Sequence, residues 1–182
     1  MKPLDRLLQR WRLGKAARWL PDGARVLDIG CFDASLFERL AARGIHGVGI
    51  DPLLDRVVEG PNYTLHPGRF PEDVPIGDRF GAIVALAVVE HLPEAALSRF
   101  GRACAALLHR RGRLIVTVPS PVVDRILDIL VTLRLADGMS LEEHHGFDPR
   151  STPHVVARDD LRLIKRQRFQ VGLNHLFVFE KT

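Results

Sequence analysis

The sequence predicts an α/β protein built on a doubly wound, mostly parallel sheet that ends in an antiparallel hairpin. Three observations carry that reading. Short apolar, β-branched runs alternate with segments of helical period, the mark of βαβ units. A strand-to-helix turn, Asp28-Ile29-Gly30-Cys31-Phe32, opens the first unit, and an acid, Asp51, ends the next strand 21 residues beyond Gly30. The last two extended runs are separated only by Gly172-Leu173-Asn174, whose turn chemistry makes its flanking strands antiparallel neighbours.

The elements follow in order. Lys2 to Leu20 reads as a helix, because Leu4, Leu7, Leu8, Trp11, Ala16, Trp19 and Leu20 recur at near-helical spacing among Arg6, Arg10, Lys15 and Arg18. Pro21-Asp22-Gly23 breaks it. Arg25 to Ile29 is the first buried strand. A helix from Ala34 to Arg43 follows, with Asp33 as its N-cap and Gly44 closing it. Gly47 to Ile50 is the second strand, ending in Asp51-Pro52, and Tyr63 to His66 the third. Ala82 to Ala87 is the fourth, leading into a helix over Glu94 to Leu108. Arg113 to Val118 is the fifth, stopped by Pro119. Asp159 to Lys165 has helical character, while Arg168 to Leu173 and His175 to Glu180 are extended. The sum is a mixed, doubly wound sheet of seven strands with helices on both faces. It is read as one domain over 1–182, with an N-terminal helix over 1–21 and an insertion or lid over 120–157.

Composition bounds the function. The formal charge of +4 and pI near 9.6 permit a nucleic-acid partner, but arginine is scattered and aromatics make up only 7%. A mildly basic solvated surface is the simpler reading. Cys31 and Cys104 stand in no CxxC or Cys/His cluster, so neither a disulfide framework nor a zinc site is expected. That cysteine usage fits a reducing cytosol, and a cytoplasmic location is expected. The N-terminus lacks the apolar core of a secretory signal, and Gly81 to Val89 is too short to span a bilayer.

The chemistry concentrates at the first turn. Gly30 permits a tight turn and close backbone approach, and the following helix start offers free N–H groups. The position of Asp51 puts a carboxylate beside that loop, where ribose hydroxyls can donate to it. A dinucleotide needs glycine at the second loop position so that its pyrophosphate can approach. Phe32 stands there, with Ala34 at the next small site. Asp28 also repels phosphate, whereas it can receive an ammonium group. A nucleoside ligand without phosphate therefore fits better.

These residues resemble the class I S-adenosylmethionine-dependent methyltransferases, in particular the small group that includes ubiquinone-biosynthesis and sugar- or natural-product-type enzymes. Leu27-Asp28-Ile29-Gly30-Cys31 is similar to the first motif of that group, and Ile50-Asp51 to its ribose-binding acid. Phe80 to Leu86 followed by Val89-Glu90-His91-Leu92 resembles its fourth strand and the Glu-His-Leu after it. Leu108 to Leu114 resembles the turn into its fifth strand. The resemblance implies a Rossmann-like fold, S-adenosylmethionine as cofactor and S-adenosylhomocysteine as product. It implies cofactor contacts from Asp28, Gly30, Cys31, Phe32, Asp51, Pro52, Leu86 and Ala87, with Phe70 and Pro71 near the adenine.

For catalysis the first candidate is His91, at the carboxyl end of the fourth strand; His144 and His145 are the second. A histidine titrates near neutrality and suits removal of a hydroxyl proton, so O-methylation is preferred. No metal is expected, because adjacent residues such as His144 and His145 rarely point at one centre. The acceptor is expected to be a small molecule, lipid-linked and sugar-like compounds included. The segment Val122 to Leu135 is apolar on most sides and reads as a buried helix, an acceptor lid or a patch that touches lipid. Membrane-surface contact is not expected. The competing readings are a non-catalytic cofactor-binding or scaffold protein, prompted by Phe32 and Ala34, and a nicotinamide enzyme, which Phe32 opposes. A nucleic-acid enzyme is opposed by Ala87-Val88-Val89-Glu90-His91 after the fourth strand.

Overall fold

The computed structural model describes residues 3–75, 77, 79–120, 148–157 and 160–182. Eight strands form one mixed sheet in the order β3-β4-β2-β1-β5-β6-β8-β7. Helix α1 (Pro3–Ala17) precedes β1 (Arg25–Ile29), α2 (Ser35–Leu40) and β2 (His46–Asp51). Then come β3 (Val58–Glu59), β4 (Tyr63–Pro67), β5 (Phe80–Leu86), α3 (Glu94–Leu107) and β6 (Leu108–Pro119). A short helix α4 (Thr152–Val156) leads to β7 (Leu161–Phe169) and β8 (Asn174–Lys181).

The central strands β2, β1, β5 and β6 run parallel. Their near-continuous apolar sequences are those of strands covered on both faces. Alternation along each strand divides the core. Leu27, Ile29, Ile83, Ala85, Leu114, Val116, Phe177 and Phe179 pack on the face of α3 with Phe100. Val26, Val84, Ile115, Leu176 and Val178 pack on the other face with Leu13, Ala16 and Phe37 from α1 and α2. The chain goes outward from β1 through β2 to β4, then returns to β5 on the other side of β1. The strand order therefore reverses at the β1/β5 boundary, where open α/β sheets bind ligands.

The terminal hairpin is present, with β7 antiparallel to β8 and β8 antiparallel to β6. Three details differ from the sequence reading. An eighth strand, β3, pairs antiparallel with β4 at the sheet edge. At two residues it is too short to leave a periodic signal. The stretch expected to be helical over Asp159 to Lys165 is strand from Leu161 onward. Pairing with β8 from Leu161↔Lys181 to Phe169↔Asn174 overrides its local preference. Its exposed Arg162, Lys165 and Arg166 are charges of the kind that blunt an edge strand. Finally, β6 begins at Leu108 rather than Arg113 and absorbs an irregularity between Phe80↔Leu108 and Ala82↔Arg113. Arg111 takes a positive φ of 59° there.

Among the described residues no helix is long and apolar enough to cross a membrane. The 120–157 segment falls largely outside the described residues.

Candidate functional site

The carboxyl ends of β1, β2 and β5 converge at the reversal point. After β1 the chain turns at Gly30, φ +71°, whose N–H donates to Ile50 O at 2.8 Å. A Cβ on Gly30 would lie 2.4 Å from Val88 Cγ2, so the loop after β1 and the loop after β5 touch at this point. Glycine is required here on both counts, left-handed backbone and space.

Asp51 organises the loop. Its Oδ2 accepts the Phe32 N–H at 2.8 Å and its Oδ1 accepts the Leu53 N–H at 2.8 Å. A carboxylate offers about four lone-pair positions, so two backbone donors leave capacity for two hydroxyls. The carboxylate is buried, yet Pro52 and Leu53 beside it are exposed. The Asp51 carbonyl also accepts the Gly68 N–H at 3.2 Å, which ties the loop after β4 to the same place.

Asp28 lies below this loop, buried on the face shared with Val26. Burial first, then the nearby carboxylates of Asp33 and Asp51, push its carboxyl up to about 8. Cys31 is buried against Gly49, and burial together with Asp28 and Asp51 pushes its thiol far above the ordinary range. It is a packing residue rather than a nucleophile. In the free protein Asp28 therefore keeps its proton at neutral pH, and a cation placed against it would favour the ionised form.

Phe32 follows Cys31 in this loop. Its ring is 47% exposed and its φ is +49°, so it is not a core anchor for α2. It stands out at the carboxyl edge, where it can wall a ligand. Asp33 does not occupy the N-cap position of α2, which falls on Ala34; it accepts the Ser35 N–H at 3.0 Å instead. Phe70 turns the other way from the surface: it is buried, and packs edge-on against Phe100 with centroids 5.4 Å apart. Pro71, joined to it by a cis peptide bond, is the half-buried part of that loop.

After β5, half-buried Leu86 leads to Ala87, φ +58°, whose N–H donates to Thr117 O at 2.9 Å. A 3-10 turn, Val89–His91, follows. Glu90 is buried and His91 is exposed at its end. His144 and His145 lie outside the described residues. Among the described residues no group of three potential metal ligands comes together.

Sequence reasoning missed a second cluster at the same edge of the sheet. Ser120, just past β6, is 3.0 Å from His175 Nε2 of β8, and both are buried. His175 lay in a segment read only as extended, and nothing local marked it. The pairing of Val118 with His175 across β6 and β8 creates the contact.

A reversing sheet order, a turn glycine under the reversal point and an acid at the end of β2 define a doubly wound nucleotide-binding site. A methyltransferase-domain family model matches residues 3–168. Among curated relatives, the ubiquinone biosynthesis O-methyltransferase of Azorhizobium caulinodans is 34% identical over 103 residues, 52% of this chain and 40% of that protein. The enzyme of the same name from Xylella fastidiosa strain 9a5c is 34% identical over 127 residues, 64% of this chain and 50% of that one. The chain thus spans half the length or less of these two relatives. Magnesium protoporphyrin IX methyltransferase from Synechocystis PCC 6803, with SAH bound, superposes with a TM-score of 0.69 at 16% identity, covering 97% of this chain and 85% of that one. The putative methyltransferase in complex with the Haloferax volcanii Trm112 activator gives 0.70 at 13% identity, covering 95% and 90%. At such identities these structures share the fold. The chain belongs to the methyltransferase-domain family, whose methyl donor is S-adenosylmethionine.

Proposed function

We propose that this domain transfers the methyl group of S-adenosylmethionine to a hydroxyl oxygen of a small-molecule acceptor. The observation that carries the reading is the loop Gly30–Asp33 held on the Asp51 carboxylate over buried Asp28, at the β1/β5 reversal. Asp51 would accept the ribose hydroxyls with its remaining lone pairs. Asp28 would face the ammonium group, and Phe32 and Pro71 would flank the nucleoside. The bound cofactor supplies an electrophilic methyl group on a sulfonium. The protein holds the acceptor oxygen in line with that methyl carbon, at roughly 3–3.5 Å, and keeps water out.

His91 stands at the carboxyl end of β5 and is the described histidine best placed to take the hydroxyl proton. Its imidazole would accept that proton as the acceptor oxygen takes the methyl group, which the bound cofactor would supply with its sulfur as leaving group. The proton then leaves to solvent from the exposed ring. O-methylation is supported by the names of the curated relatives.

A lipid-linked acceptor is favoured by one surface feature. Leu7 and Trp11 of α1 are exposed one helical turn apart, and Val171 in the β7–β8 turn is 96% exposed. The Gln170 side chain donates to Leu8 O at 3.1 Å, which ties the β7–β8 turn to α1, with exposed Arg6 and Arg10 on the same helix. Exposed apolar side chains on these two joined segments would suit an apolar tail of the acceptor.

Calorimetry tests the donor site. S-adenosylmethionine and S-adenosylhomocysteine should bind in the micromolar range and NADH should not. Methyl transfer from labelled S-adenosylmethionine to catechol tests the reaction. Cofactor binding without transfer to any hydroxylated acceptor would return the chain to a non-catalytic role, and no binding at all would sink the proposal.

A further inference from the structure

The Ser120–His175 pair has a hydrogen-bond polarity that follows from its partners. The Ser120 N–H donates to Leu173 O at 2.8 Å, and its hydroxyl donates to Gly172 O at 2.7 Å. A serine hydroxyl has one proton to give. At the 3.0 Å contact with His175, Ser120 Oγ must therefore accept, and His175 Nε2 must carry the hydrogen. That fixes the neutral ring with a bare lone pair on Nδ1.

Nδ1 is buried and has no hydrogen-bond partner among the described residues, on a side chain only 5% exposed. An unpaired buried acceptor is costly, so a donor brought to it recovers a substantial interaction. The cluster is built rather than incidental. Gln170, Val171 and Gly172 all take positive φ, 51°, 57° and 86°, to wrap the turn around Ser120. The amide of Asn174 donates to Gln170, whose own amide reaches α1. The ring lies flat against Phe177, with centroids 6.2 Å apart. Burial, together with Arg168 and Arg166, holds its pKa below the ordinary histidine value against the smaller pull of Asp148, so the neutral ring persists.

The position points to a ligand. His175 begins β8 beside the carboxyl end of β6, and β8 is two strands from β5, roughly 10 Å across the sheet. It stands at the same end of the sheet as the donor site. We propose that His175 Nδ1 is a hydrogen-bond anchor for a hydroxyl of the methyl acceptor, held in the accepting tautomer by Ser120. This rests on the methyltransferase reading above. The anchored hydroxyl is one the acceptor keeps, so a diol or polyhydroxylated acceptor is favoured over a single alcohol.

The test uses catechol as probe, with S-adenosylmethionine for turnover and S-adenosylhomocysteine for the binding and spectroscopic readouts, and two side chains that divide the imidazole. His175→Gln places an amide donor near the Nε2 position, keeping the Ser120 bond while removing the Nδ1 acceptor. His175→Asn keeps an acceptor near Nδ1 and loses the Ser120 bond. The proposal expects His175→Gln to keep S-adenosylhomocysteine affinity and melting temperature while KM for catechol rises about tenfold with little change in kcat. His175→Asn should restore much of that KM. A purely structural histidine gives the reverse: Gln tolerated, Asn unstable. Ser120→Ala frees the tautomer and should raise KM by a smaller factor. Histidine ¹⁵N spectra give a readout that needs no turnover: Nε2 protonated, Nδ1 bare, and Nδ1 alone shifting when catechol is added. An Nδ1–H tautomer, or an Nδ1 signal unmoved by saturating catechol, overturns the anchor, as does wild-type KM in His175→Gln. Loss of S-adenosylhomocysteine binding by the wild-type protein would instead strike the underlying reading.

Discussion

The two ends of the site's rim are built by different means. Where β1 and β2 end, the work is done by a turn glycine, backbone N–H groups and short acids, all within a few residues of a strand terminus. Where β6 and β8 end, it is done by side chains 55 residues apart in the chain that meet through antiparallel pairing. The first end is preorganised by one carboxylate that takes two backbone donors. The second is preorganised by one hydroxyl that decides which nitrogen of a buried ring holds a proton. A shared cofactor can be met by a local motif, whereas an acceptor has to be met by side chains that several distant segments supply.

The comparison breaks most readily at Asp51. Asp51→Ala removes the partner of the Phe32 and Leu53 N–H groups and the proposed ribose acceptor together. Hydrogen bonds to a charged group are worth about 1.5–3 kcal/mol each, so S-adenosylhomocysteine affinity should fall at least about a hundredfold. Calorimetry measures it directly. The acceptor-side histidine should be untouched in the same variant, with its Nδ1 resonance unchanged; if that resonance moves, the two ends are not independent.

Gly30 comes next. Gly30→Ala forces a side chain into left-handed backbone and places its Cβ 2.4 Å from the present position of Val88 Cγ2. Strain and overpacking of this kind cost about 1–3 kcal/mol each, seen as a lower denaturation midpoint. The double variant with Val88→Ala should recover the steric part and leave the backbone part. Full recovery would show that contact between the two loops, rather than left-handed geometry, fixes the glycine.

The same contrast explains what the sequence made legible. The four strands β1, β2, β5 and β6 were readable because burial on both faces writes continuous apolar runs. The places of Gly30, Asp28 and Asp51 were readable because they are set relative to a strand end. Phe32 was half readable: its size argued against pyrophosphate, but only the fold shows its ring turned outward. The edge told a different story. The strand β7, with Arg162, Lys165 and Arg166, carries a sequence that does not commit to strand, and only its partner β8 decides the matter. His175 was invisible for a related reason. On its own strand it is one more residue of an alternating run, and its meaning lies in Ser120, the Gly172 carbonyl and a turn of three left-handed residues. His91 was read as lying at the carboxyl end of β5 and stands at the end of the turn that follows it, and that reading could not foresee that Glu90 is buried while His91 is exposed.

The finest distinction between the two ends is pH dependence, and Asp28 sets it. Its carboxyl is raised from 3.8 to about 8 in the folded protein. A carboxyl raised by folding holds its proton more tightly in the native state. Its stabilising contribution is therefore full below the unfolded value and is lost as pH rises through the folded value. The free protein should lose stability between about pH 4 and pH 8, at up to ~1.4 kcal/mol per pH unit from this group. Asp28→Asn should flatten that slope and, near pH 8, raise the melting temperature. Cofactor binding carries the opposite sign. If the ammonium group sits against Asp28, binding favours the ionised carboxylate and releases a proton, so affinity rises with pH toward 8, by at most about tenfold per unit. Calorimetry in two buffers of different ionisation enthalpy measures the released proton near pH 7. Asp28→Asn should abolish the release and leave the acceptor-side tautomer as it was. Proton release that persists in Asp28→Asn would move the titrating group elsewhere, and a wild-type affinity flat from pH 6 to 8 would remove the ammonium from Asp28 altogether.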